Sequence, residues 1–197
     1  MHIYILFAHP AKKSFSREVL KAFTEGLKKA DHTFEVCDLY EINFCTDMDS
    51  LQYERGVSLF PDSPVPEDVR VEHSKISSSD ALVFIYPVWW SDCPAKLKGW
   101  FDRVWTNGYA YSYDSDGNRE SYIKPEKALV ICSAGHTVEK LEETGIAESM
   151  RCIMLKDRLQ NVGFTDVSME ILGGMMPGED QYRDGNLEKA YQLGVSF

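Results

Sequence analysis

Short apolar runs alternate along this chain with longer stretches that repeat at helical spacing. Ile3–Ala8, Ala81–Tyr86 and Ala128–Cys132 are runs of strand formers bounded by polar or turn residues, as strands buried on both faces are. Two further segments alternate and predict strands, Thr33–Leu39 through Phe34 and Val36, and a last one through Val167, Met169 and Ile171. Between them, Phe15, Val19, Ala22, Phe23, Gly26 and Leu27 share one helical face behind Ser14 or Ser16, either of which suits an N-cap. Pro66, Glu67 and Asp68 open a helix reaching about Ser78. Pro94 opens another, on which Leu97, Trp100, Phe101, Val104 and Trp105 form one apolar stripe. A helix from about Glu148 to Asn161 is stopped by Gly163, and Leu187–Leu193 forms a short terminal helix. Five strands alternating with helices predict an α/β fold, an open, doubly wound parallel sheet, and without repeats or a linker a single domain spanning 1–197.

Two connections depart from this rhythm. Residues 40–66 are polar and irregular, with Pro61, Pro64 and Pro66, and read as a long connection holding short helical turns. Tyr109–Tyr122 is aromatic and polar, with a turn at Asp116-Gly117-Asn118.

Charge and cysteine content narrow the function classes. A formal net charge of −10 disfavours nucleic-acid binding and docking on anionic membranes. Cys37, Cys45, Cys93, Cys132 and Cys152 are odd in number and contain no C-x-x-C pair, which points to reduced thiols rather than disulfides or zinc. Ile3 already begins a strand pattern and no apolar run is long enough to span a bilayer, so a cytoplasmic protein without a signal peptide is expected.

Candidate chemistry gathers where open α/β sheets bind ligands, beyond the carboxyl ends of the strands. His9, Lys12, Ser14 and Ser16 surround a predicted helix N-terminus, which favours an anion; the same residues also fit a plain capped helix with an exposed basic pair. Trp89 and Trp90 follow the third strand, and Ser133-Ala134-Gly135 ends the next, so an aromatic wall and a small-residue turn would face one another around a planar ring. Trp100 and Trp105 lie on the helical stripe and read as core. Tyr109, Tyr111 and Tyr113 alternate, as either an extended segment with one wet face or a lid over a substrate. His136 is a candidate proton donor or a polar loop residue, and His2, His32 and His73 read as surface residues. No metal-binding cluster and no G-x-S-x-G elbow occurs.

Three segments together carry a resemblance: Ala8-His9-Pro10 with Ser14-Phe15; Asp38-Leu39-Tyr40-Glu41-Ile42-Asn43-Phe44; and Tyr86-Pro87-Val88-Trp89-Trp90 continuing through Pro94-Ala95 to Leu97-Lys98-Gly99-Trp100-Phe101-Asp102-Arg103-Val104. In these the chain resembles the NAD(P)H:quinone oxidoreductase family, which includes DT-diaphorase and the bacterial drug-activity-modulator-like reductases. The resemblance implies a flavodoxin-like sandwich with sheet order 2-1-3-4-5, a bound flavin (FAD, with FMN as the other choice), and a homodimer with active sites at its interface. It implies two-electron reduction of quinones by NAD(P)H with ping-pong kinetics, with azo or nitro compounds as alternative acceptors that the sequence does not rank. Carried over by position, His9, Ser14, Phe15 and Ser16 would hold the flavin phosphates and ribityl chain, and Pro87, Val88, Trp89 and Trp90 would line the ring. Ser133, Ala134 and Gly135 would meet the ring's polar edge through backbone N–H groups, and Tyr111 and Tyr113 would cover the substrate. Ser16 stands where many members carry Asn, and Ala134 replaces the first glycine of a Gly-Gly turn. Leu141 and Ala147 fall nearest the Tyr and His that assist hydride transfer in the animal enzymes, which leaves water, His136 or a tyrosine to protonate the substrate. The aromatic surplus of the Trp100–Trp105 helix suggests part of a dimer interface. A one-electron carrier of the flavodoxin type and a regulatory subunit are the competing classes.

Overall fold

Each apolar run becomes a strand of one parallel sheet. The computed structural model describes residues 1–57, 64–176, 178 and 180–197. Its strands are β1 (His2–Phe7), β2 (Thr33–Asp38), β3 (Ala81–Pro87), a small hairpin of β4 (Ser112–Tyr113) and β5 (Arg119–Glu120), β6 (Lys127–Ser133) and β7 (Asp166–Leu172). The main sheet has the order β2-β1-β3-β6-β7, every pair parallel, which is 2-1-3-4-5 when sheet strands alone are counted. Of the prolines expected in the long connection, Pro61 lies outside the described residues.

The helices are α1 (Phe15–Lys29), α2 (Ser50–Val57), α3 (Glu67–Ser77), α4 (Ala95–Val104), α5 (Val138–Glu143), α6 (Ile146–Arg151) and α7 (Arg183–Val195). Side-chain alternation along the strands divides the core in two. Ile3, Ile5, Phe7, Val83, Ile85 and Ile131 face α1 and α7, while Tyr4, Leu6, Phe84, Tyr86, Val130 and Cys132 pack toward α3, α4 and α6. The α1–α7 contact is close because both helices present glycine. A Cβ on Gly26 would sit 2.2 Å from the Tyr191 carbonyl oxygen.

The helix expected over 148–161 is not uniform. After α6 the chain continues through a π-helical stretch, Cys152–Leu159, and a 3-10 turn, Gln160–Val162. Gly163 then ends it with φ +107°, the left-handed conformation expected of that cap.

The aromatic stripe of α4 is used inside the chain. Trp100 is fully buried among Phe84, Phe101 and Trp105, and its indole N–H donates to Glu72 Oε2 at 2.7 Å. The Tyr4 hydroxyl donates to the same oxygen at 2.8 Å. Trp105 is half-buried and donates to the Arg158 carbonyl at 2.8 Å. The expected surplus for a partner is therefore not supplied by Trp100, whose ring fills its own core. His73 is not a surface residue either: it is half-buried, stacks on Tyr109 at 3.7 Å and hydrogen-bonds the Val104 carbonyl at 2.8 Å.

Candidate active site

The loop between β1 and α1 forms the first wall. Ser14 is the N-cap of α1: it is extended, and its hydroxyl accepts the Arg17 N–H at 3.3 Å. Arg17 and Glu18 N–H groups reach the Ser14 carbonyl, which leaves the Phe15 and Ser16 N–H groups at the open end of a helix of 15 residues. His9 takes a fixed tautomer. The Ala11 N–H donates to Nδ1 at 3.0 Å, so the ring proton sits on Nε2. Burial, together with the Arg17 charge, holds the His9 pKa below its ordinary value and keeps the ring a neutral donor at pH 7. Arg17 is turned away to Asp38 at 2.7 Å and the Ala11 carbonyl at 2.9 Å. The Phe15 ring lies under the Arg183 guanidinium at 5.3 Å, so this residue offers the site its N–H and not its side chain.

The second wall is the turn after β3. Val88 N–H is tied to the Ser133 carbonyl at 2.7 Å. Trp89 and Asp92 then exchange backbone hydrogen bonds of 2.9 and 3.2 Å across a two-residue turn. Its central residues, Trp90 (φ +50°) and Ser91 (φ +64°), are both left-handed. That pattern usually selects Asn-Gly; for side chains of this size it costs about 1–2 kcal/mol per residue. The two indoles part company here. Trp89 leans toward the His9 ring at a centroid distance of 6.2 Å, whereas Trp90 stands fully exposed at the mouth of a cavity.

That cavity, of about 400 Å³, lies between the turn and the end of β6; Val88, Trp90, Ala134, Gly135, His136 and Leu141 line it, with Ser91, Ile146 and Met176 completing the wall. Ser16 and Ser133 hydroxyls meet at 3.1 Å and join the start of α1 to the β6 turn. Pro87 is buried beneath, in register with Ser133. The Ala134 N–H does not face the cavity as a free donor: it bonds the Leu172 carbonyl at 2.9 Å. This corrects the expectation for the turn, whose remaining donors are the Gly135 and His136 N–H groups. Burial pushes the Cys93 and Cys132 thiols up to about 12, so neither supplies a thiolate beside the cavity.

Tyr111 and Tyr113 do not line this cavity in their own chain. Their rings lie 6.3 Å apart beside the β4–β5 hairpin, with the Arg119 guanidinium 5.2 Å over Tyr111. Tyr111 borders instead a groove of about 280 Å³ shared with Trp105, Arg119 and Arg158. Leu141 does reach the cavity wall; Ala147 is buried and its neighbour Ile146 takes the wall position. Sequence reasoning missed Met176 and the Asp92–Arg158 ion pair. A polar residue just after two tryptophans was the available signal for Asp92, but nothing local marks an arginine 66 residues away.

A second cavity, of about 490 Å³, opens between Pro10, Lys12 and Arg17 of the β1–α1 region and Tyr40 and Glu41 after β2. Among the described residues no group of acidic, histidine and cysteine side chains could hold a metal ion, and no helix is long and apolar enough to cross a membrane.

Comparison with known proteins places this geometry in context. The sequence model of a family with the flavodoxin-like fold matches residues 1–193. A solved structure, an NAD(P)H:quinone oxidoreductase from Methanothermobacter marburgensis, is 61% identical, covers 100% of this chain and 95% of its own, and superposes with a TM-score of 0.94. A Haemophilus influenzae protein described as an uncharacterized NAD(P)H oxidoreductase is 28% identical over 193 residues, 98% of this chain and 93% of the relative. The NAD(P)H dehydrogenase [quinone] 1 of Cavia porcellus is 29% identical over 163 residues, a match that takes in 76% of this chain and 59% of that enzyme.

Proposed function

The chain belongs to the flavodoxin-like family, and on that premise we propose that it is a flavin-dependent NAD(P)H:quinone oxidoreductase. The observation that carries the reading is the junction of two half-sites: an anion-binding helix end and a ring-sized cavity, joined by the Ser16–Ser133 hydrogen bond at 3.1 Å. The donor set fits a flavin phosphate. The Phe15 and Ser16 N–H groups lie at the helix terminus that Ser14 caps, and His9, with its ring proton on Nε2, stands in the same loop as a further donor. The second cavity, with Lys12 at its edge, has room for a further phosphate and an adenosine, which supports FAD over FMN.

A flavin held there would supply two-electron chemistry, by which NAD(P)H, quinone and one proton become NAD(P)⁺ and quinol. The chain's own groups bind, orient and screen. Trp90 offers an indole face to a ring. The Gly135 and His136 N–H groups, on the cavity wall, would stabilise negative charge on the polar edge of a bound ring. Leu141 and Ile146 exclude water and carry no transferable proton, so among the described lining residues His136 is the side chain suited to general-acid work. A single open face at the cavity mouth would serve donor and acceptor in turn, which would give ping-pong kinetics. Azo compounds are a further acceptor class for the same face.

Tyr111 and Tyr113 reach a ring cavity in this reading only from a second copy, which supports a homodimer with shared sites. A two-fold interface would set each copy's hairpin over the other's Trp90.

The test is direct. Purified protein is incubated with FMN and FAD, the bound flavin is extracted and identified by mass, and NAD(P)H oxidation is followed with menadione. Bound FAD and parallel double-reciprocal plots are expected. Protein that stays colourless with both flavins refutes the reading, and a loaded protein that reduces only a protein partner by single electrons favours the carrier class.

A further inference from the structure

We propose that Asp92 and Arg158 are positioning residues for the ring cavity: their two-bond ion pair holds the Trp89–Asp92 turn in its left-handed form and thereby presents Trp90. The structural part stands on geometry alone; its functional consequence rests on the flavin reading given above.

The turn is unusual in carrying two consecutive left-handed residues, neither of them glycine or asparagine. Trp90 makes no packing contribution that would explain it, because the side chain is fully exposed. Some other contact has to over-determine the conformation. The start of the turn is anchored by Val88 on Ser133. The end is anchored by Asp92, whose Oδ1 accepts the Cys93 N–H at 2.7 Å and Arg158 Nη1 at 2.8 Å, while Oδ2 accepts Nη2 at 2.9 Å.

Arg158 is itself immobilised. It is 9% exposed, its guanidinium lies 5.4 Å over the Phe101 ring, Nη1 also reaches Cys93 Sγ at 3.4 Å, and its carbonyl accepts the Trp105 indole N–H. The wide turns of the Cys152–Leu159 segment carry it, and such segments recur at functional sites. A fork between a buried arginine and a half-exposed carboxylate contributes little net stability, since desolvation of the arginine offsets the attraction. What it does fix is geometry, because a planar guanidinium bonded twice to one carboxylate permits one orientation of the residue that bears it.

The experiment compares the full-length parent with Arg158→Gln, Arg158→Lys, and Arg158→Gln combined with Ser91→Gly. Lysine keeps a charge without the fork and serves if the glutamine variant does not fold. Glycine adopts the left-handed conformation freely, so it should restore the turn without restoring the ion pair. Backbone hydrogen exchange reads the turn through the Trp89 and Asp92 amides, with Val83 and Val130 as sheet controls. Loss of the fork should speed exchange at the turn amides by about tenfold or more while the sheet amides hold. It should also weaken flavin binding by about tenfold, and Ser91→Gly should recover most of both. Turn amides that do not change, acceleration shared equally by the sheet, or flavin affinity within about twofold of the parent despite a loosened turn would each overturn the proposal. A parent that takes up neither FMN nor FAD defeats the flavin reading instead, and the exchange measurement still decides the turn.

Discussion

Trp90 and Trp100 stand ten positions apart and should respond in opposite ways to the same truncation. Trp100→Ala empties a fully buried site, which costs about 3–5 kcal/mol of folding stability for a large aromatic. It also leaves Glu72 Oε2 with the Tyr4 hydroxyl and no indole donor, adding about 1–3 kcal/mol. The sum is comparable with the whole stability of many domains, about 5–15 kcal/mol, so Trp100→Phe is the companion variant: it keeps an aromatic ring and removes mainly the donor. Trp90→Ala removes nothing that the folded chain buries, so its stability should stay within about 0.5 kcal/mol of the parent. Its effect should fall on the ligand. If a flavin covers one indole face, about 100 Å² of apolar surface, the loss is about 2.5 kcal/mol, or roughly 50- to 100-fold in Kd. Urea unfolding of the flavin-free variants by circular dichroism gives the first quantity, and quenching of flavin fluorescence on titration gives the second. A Trp90→Ala variant that loses more than about 1 kcal/mol of stability, or that binds flavin within about threefold of the parent, refutes the assignment of this turn to the ring cavity.

Three further outcomes can be checked. Burial raises the Glu72 carboxyl above its ordinary range, outweighing the Trp100 and Tyr4 hydrogen bonds that lower it. The folded state then binds more protons than the unfolded state above the ordinary glutamate value of about 4.3, so folding stability should fall as pH rises from there through the raised value; urea unfolding across pH should show Glu72→Gln flattening that slope. Gly26→Ala should destabilise by about 1–3 kcal/mol because its Cβ would meet the Tyr191 backbone, whereas Gly56→Ala, with open space around it, should be neutral or gain up to about 1 kcal/mol; thermal unfolding of the pair separates overpacking from helix propensity. Light scattering should give a dimer mass, and mixing Trp90→Ala with Tyr111→Ala, at a flavin concentration where each alone has lost most of its activity, should regain activity in mixed dimers, where one of the two sites is intact; no recovery would count against sites shared between copies.

The strands, the helix stripes and their alternation were legible because side-chain period is a local property of the backbone: runs such as Ala81–Tyr86 and the Leu97–Trp105 stripe needed no knowledge of their neighbours. The same locality located the capped β1–α1 loop and the small-residue turn, since each follows a strand end directly. What lay beyond sequence was every relation set by long-range packing. The two adjacent tryptophans look alike along the chain, yet left-handed backbone at Trp90 and Ser91 sends one indole toward His9 and leaves the other in solvent at the cavity mouth. Ala134 offered an N–H until β7 came alongside and its Leu172 carbonyl took it. Tyr111 and Tyr113 read along the chain as a lid over a substrate pocket, but which surface they border is decided by packing, which sets Tyr111 beside Trp105 and Arg119 and pairs Tyr113 with Arg119 in the hairpin. Arg158 found Asp92 across 66 residues because the winding of one helix and the crossover of a sheet brought them together. Period and capping are decided within a few residues, whereas hydrogen-bond partners and cavity walls are decided by which distant segments the sheet order makes neighbours.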